Sequence, residues 1–193
     1  PALYFGCGTS AFVAHSAAVL REGSGHGQTD WAFASEMPNR RSYDHVVAIT
    51  RSGTTTEVLQ ALRGPLARSH RTVVTADVTS VPDDVADDVV DLRFADEESV
   101  VQTRFPTTFL LVLRHLLGTD VRPVIDEVDR ALTQDLPIDP ARFEHFVFLA
   151  RDWGLGLAHE AALKMREAAQ AWAESFPALD YRHGPIAAAD DRT

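Results

Sequence analysis

"HVVAITRSGTTTEVLQALR", residues 45–63, carries the reading of the fold. It opens on a continuous apolar run that suits a strand covered on both faces. A loop crowded with Thr and Ser follows, and Val58, Ala61 and Leu62 then return at helical spacing. Outward from this unit the same alternation recurs. Strands are expected at 2–6, 45–50, 72–76, 89–94 and 146–150. Helices are expected near 10–22, 54–63, 107–117, 122–134 and 155–176. Strand and helix in turn imply an α/β protein built on a parallel sheet. Thr54 and Glu57 have the spacing of a capping box, and Gly64 with Pro65 should stop the helix.

The composition fits this frame. The chain has 193 residues, 45% of them hydrophobic and 24% charged. No apolar run approaches the roughly 18 residues that a membrane helix needs, and no secretory pattern opens the chain. No membrane partner is therefore expected. A single cysteine, Cys7, allows no intrachain disulfide, and a cytoplasmic location is the natural expectation. The net charge of −10 argues against nucleic acid as a partner. The chain opens on Pro1 rather than Met, and further sequence upstream is expected.

An internal echo sits 144 positions apart: "AHSAA" at 14–18 returns as "AHEAA" at 158–162, each in a helix after a strand and a Gly-containing loop. It suggests two related lobes: a first over 1–121, a connecting helix and linker over 122–140, and the incomplete beginning of a second over 141–193.

Three features could carry chemistry. "GCGTSA" at 6–11 matches a dinucleotide-type glycine fingerprint, but no ribose-binding acid ends a convincing second strand: Asp30 and Glu36 flank the weak stretch "WAFAS". "TRSGTTTE" at 50–57 is no P-loop. It offers a glycine for close approach, neutral hydroxyl donors and a helix start, a cradle for one phosphate. Capping accounts for Thr54 and leaves Ser52, Thr55 and Thr56 over. In the last long helix, Glu160, Lys164 and Glu167 line one side, opposite an apolar stripe of Ala158, Ala161, Met165, Ala169, Trp172 and Phe176. A solvated salt-bridged face would look the same. The four aspartates in "TSVPDDVADD" at 79–88 read as a solvated face, with a cation site as the alternative.

Taken together, "GCGTS", "TRSGTTTE", "EAALKMREAAQAWAESF" and "YRHGPIAAAD" resemble the sugar isomerase (SIS) domains of the isomerase half of glucosamine-6-phosphate synthase and of the related amino-sugar-phosphate isomerase/deaminase proteins. The resemblance implies a three-layer, flavodoxin-like parallel sheet, with the start of a second similar lobe, and a homodimer. It implies that Thr9, Ser10, Thr50, Arg51, Ser52 and Thr55 hold a sugar phosphate. Val100 and Gln102, in "EESVVQTRFPTT", would lie near the sugar. Glu167 would be the general base, Lys164 a charged neighbour, and His183 the ring-opening residue. Neither metal nor cofactor is implied.

The chain departs from the synthases at Thr50, Arg51 and Gln102, where they carry Ser, Gln and Ser, and it shows neither a glutaminase domain nor a Schiff-base lysine segment. The expected function is phosphosugar isomerisation or deamination on a hexose or amino-hexose 6-phosphate. A non-catalytic sugar-phosphate sensor is the main alternative, and a dinucleotide-binding oxidoreductase the third.

Overall fold

The structure, a computed structural model, describes residues 1–37 and 41–193. Five parallel strands form the main sheet: β1 (Ala2–Gly6), β2 (Thr29–Phe33), β3 (His45–Ile49), β4 (His70–Thr75) and β5 (Asp88–Asp91), in spatial order β2-β1-β3-β4-β5. This is the flavodoxin-like order, and its direction of winding reverses between β1 and β3.

The pleat splits the strand side chains between two cores. Tyr4, Val47, Ile49 and Val74, with Leu92 just beyond β5, face α1 (Thr9–Gly23) and α3 (Arg104–Leu116). Leu3, Phe5, Val46, Ala48 and Val73 face α2 (Thr56–Arg63) through Val58, Ala61 and Leu62. With helices on both faces, the sheet is the middle of three layers.

After α3 comes α4 (Arg122–Thr133), exposed along nearly its whole length. A second, two-stranded parallel sheet then pairs β6 (His145–Ala150) with β7 (Trp172–Pro177), with α5 (Gly154–Ala168) between them. The 144-residue echo thus belongs to a repeated unit, β1-α1-β2 and β6-α5-β7. In the first, Ala2 pairs with Thr29; in the second, His145 pairs with Trp172.

The two helices pack directly on each other. A Cβ at Gly156 would stand 2.3 Å from the carbonyl oxygen of Phe12 and from Oγ of Ser16, so only glycine permits this approach. Ser16 Oγ also donates to the Trp153 carbonyl at 2.7 Å, and the His15 and His159 rings stack with centroids 5.8 Å apart.

Four expectations need correction. The helix expected over 155–176 stops at Ala168. Gln170 takes a left-handed φ of 52°, and the amides of Ala169 and Ala171 both turn back to the Met165 carbonyl. Trp172 and Phe176 therefore belong to a strand rather than to a helical stripe; Trp172 stacks on His145 with centroids 3.9 Å apart. Second, "WAFAS" contributes to a genuine strand, β2. Its edge position tolerates Asp30, whose carboxylate accepts from Tyr43 Oη at 2.7 Å.

Third, the Thr54–Glu57 capping box does not form. The N-cap is Thr55, without a side-chain cap, and Thr54 Oγ1 donates to Ser52 Oγ at 3.0 Å. Fourth, β5 is shorter than expected, because Arg93–Ala95 turn into a 3-10 helix. The nearby aspartates do form a solvated face, laced with surface ion pairs: Asp84 binds Arg63 bidentately at 2.8 and 2.9 Å, and Asp88 pairs with His70 at 2.7 Å. Among the described residues no group of three or more His, Cys, Asp or Glu is placed to hold a metal ion, and no helix is long and apolar enough to cross a membrane.

Candidate functional site

Where a doubly wound sheet reverses its winding, the loops at the strand C-termini diverge and leave a crevice. Here those loops are 7–8, after β1, and 50–55, after β3. Their roots lie side by side: a Cβ on Gly6, the last residue of β1, would meet Ile49 O at the end of β3 at 2.8 Å and Ser10 Cβ in α1 at 2.6 Å. Both hydroxyl-bearing loops therefore share one rim, with Thr9, Ser10 and Thr50 buried there at 5%, 4% and 2% exposure.

In the loop after β3, Gly53 holds φ at 71°, and Thr50 Oγ1 lies 2.9 Å from Thr55 Oγ1. Ser52 and Thr54 are exposed. Since no side chain caps the start of α2, its first amides and positive dipole end are left to the loop.

α5 brings charge to the same rim. Lys164 Nζ donates to Thr9 Oγ1 at 3.0 Å, across 155 residues of sequence. It also lies 3.3 Å from Glu160 Oε1 and 2.5 Å from Glu167 Oε2. Thr9 Oγ1 in turn donates to Glu160 Oε1 at 3.2 Å. One ammonium thus joins two carboxylates and a hydroxyl. Glu160 is 8% exposed, and its Oε2 is buried without a hydrogen-bond partner. Burial pushes its carboxyl above the usual range, against the pull of Lys164 and the Thr9 hydroxyl.

Glu160 is the residue that the sequence left out of the site. Its i to i+4 spacing from Lys164 was visible, but its burial depends on the α1–α5 packing, which no local pattern reveals.

The other expected residues lie less close together. Arg51 reaches to the third loop, where its Nη1 donates to the carbonyl oxygens of Glu97 and, at 3.0 Å, Ser99. On that loop Val100 is 90% exposed, and Gln102 has a buried Oε1 without a hydrogen-bond partner. His183 is exposed in the turn after β7. Its amide donates to the Asp180 carbonyl at 2.8 Å, and among the described residues its ring forms no hydrogen bond to the Lys164 cluster.

The sheet order and the rim define the three-layer SIS fold. The relatives agree. The isomerizing glutamine–fructose-6-phosphate aminotransferase of Xylella fastidiosa is 30% identical over 216 aligned positions, covering 95% of this chain and 35% of that protein. The glucosamine-6-phosphate deaminase of Thermotoga maritima superposes with a TM-score of 0.86 at 25% identity, over 100% of this chain and 65% of that one.

The C-terminal domain of the glucosamine-fructose-6-phosphate aminotransferase of Francisella tularensis gives 0.79 at 25% identity, over 99% and 62%. No family model matches the chain. It spans about a third of the length of the curated aminotransferases and under two thirds of the deaminase chain. The chain is thus a homologue of the isomerase domain of the glutamine–fructose-6-phosphate aminotransferases, within the SIS-domain proteins.

Proposed function

We propose that this chain forms part of a phosphosugar isomerase or deaminase site acting on a hexose or amino-hexose 6-phosphate. The 3.0 Å contact between Lys164 Nζ and Thr9 Oγ1 carries this reading, because it ties the charged face of α5 to the phosphate-type rim of the main sheet. In it, Thr9, Ser10, Thr50, Ser52 and Thr55 hold the phosphate, with the dipole of α2 adding to the attraction. Val100 and Gln102 flank the sugar.

Isomerisation between aldose and ketose takes a proton from one carbon and returns it to the next through an enediolate. Glu167 is the base, the more accessible of the two carboxylates on Lys164. Lys164 offsets negative charge developing on the oxygen. His183 handles the ring-oxygen proton, delivered by turn movement or from a second subunit of a dimer. The lobe division at 121 and 140 and a cytoplasmic location belong to the same reading.

The test uses the full-length protein in deuterated water with fructose 6-phosphate and glucosamine 6-phosphate. Exchange at C1 or C2, or release of ammonia, is expected, and Glu167→Gln should slow it by about 100-fold or more while sugar-phosphate affinity changes little. Unchanged turnover in that variant sinks the assignment. Binding without turnover in the unmodified protein makes it a sensor.

A further inference from the structure

Resting on the phosphate-rim reading, we propose that Arg51 is a positioning residue: a strap that fixes the third ligand loop, 96–103, to the loop after β3, instead of a direct ligand of the phosphate. Both ends of the strap are anchored. At its root, the Arg51 carbonyl accepts from Thr75 Oγ1 at 2.9 Å and from the Ala76 amide at 3.0 Å, which fixes its backbone to the end of β4. At its far end, one nitrogen of the guanidinium serves two carbonyls, those of Glu97 and Ser99, with the Asp96 carboxylate 3.9 Å away. The side chain is only 20% exposed along this path.

Glu97 passes the hold onward. Its carboxylate accepts from the amides of Thr103, Arg104 and Phe105, at 2.9 to 3.1 Å, and from Thr103 Oγ1 at 2.9 Å. Burial works against that charge, yet these donors outweigh it and hold the carboxyl below its usual range. Glu97 thus grips the start of α3 through its carboxylate while its own carbonyl oxygen accepts from the Arg51 guanidinium. The chain of contacts runs from the end of β4, through Arg51 and Glu97, to α3. Gln102, with its unpartnered Oε1, lies inside the loop so enclosed.

A charge spent on two carbonyls is already partly neutralised, and a ligand would have to break both bonds to recruit it. The loop is therefore shaped before the sugar arrives, which lowers the ordering cost of binding.

The test compares the full-length protein with Arg51→Met and Arg51→Lys by amide hydrogen exchange without ligand, and by binding of inorganic phosphate and of fructose 6-phosphate. The strap requires exchange at 97–103 to quicken about ten-fold or more in Arg51→Met, with the exchange of α2 unaltered. It also requires fructose 6-phosphate affinity to fall well beyond any loss for inorganic phosphate.

Arg51→Lys keeps the charge but not the reach to both carbonyls, and must give the same pattern should the Met variant fold poorly. Unaltered exchange at 97–103 overturns the proposal, as does an equal loss of affinity for both ligands. Exchange and binding are both read without turnover, so a protein that binds fructose 6-phosphate but does not convert it would sink the functional reading and leave the strap standing.

Discussion

At the scale of single residues, the site turns on how Lys164 divides its charge between two unlike carboxylates. Glu167 is solvated, whereas Glu160 is buried with one oxygen unserved. The raised carboxyl of Glu160 has a definite sign. A group whose folded pKa exceeds its unfolded value stabilises the fold fully below the ordinary carboxylate range and loses that contribution as pH rises through the folded value. Near neutrality, ionised Glu160 is therefore a cost to folding that Lys164 offsets. Glu160→Gln should leave the melting temperature at neutral pH unchanged or higher, yet slow turnover by about ten-fold by weakening the hold on Lys164. A lower melting temperature with full turnover would reverse that assignment and make Glu160 a structural residue. The sequence displayed the charges but not their inequality, which arises because α1, far away in sequence, packs on α5 and buries Glu160.

Among elements, the contact of α1 with α5 positions the chemistry, since it sets Thr9 against Lys164. It rests on Gly156, whose missing Cβ admits Phe12 and Ser16. Gly156→Ala should cost about 1–3 kcal/mol and lower the melting temperature, because backbone and not a flexible side-chain tip must yield. An unchanged melt would mean that the helices part without penalty.

The legibility of the elements follows the same physics. β1, β3 and β4 were readable because burial on both faces demands continuous apolar runs. β2 and β7 were not. β2 is an edge strand carrying Asp30, and the turn from α5 into β7 uses Gln170 instead of glycine at its left-handed position, so the helical period seemed to continue through Trp172 and Phe176. The hydroxyl loops were plain from glycine and threonine density, but the partner of Arg51, 46 residues onward, was invisible.

Over the whole molecule, the two βαβ units join through a layer of rings. His15 stacks on Trp31 at 4.5 Å and on His159 at 5.8 Å, and its Nδ1 is buried without a hydrogen-bond partner. Burial, and then the neighbouring His159, lower its pKa to about 4. Its folded pKa is depressed, so its share of stability is complete above the unfolded value of 6.5 and is lost as pH falls through the folded value. Acidification from about pH 7 to about pH 5 should therefore cost on the order of 1–2 kcal/mol, discounted for partial solvation, and His15→Phe should flatten that slope in thermal melts. Equal slopes would exclude His15 as the cause.

The same layer has an optical side. Each tryptophan of the chain lies against a basic or titratable group: Trp31 on His15, Trp172 on His145, and Trp153 beneath Arg114 at 5.3 Å. A charged imidazolium quenches an indole that it touches, and His15, uncharged near neutrality, becomes one only in acid. The emission of Trp31 should therefore dim as acid protonates His15 at the seam between the repeated units, without any dye attached.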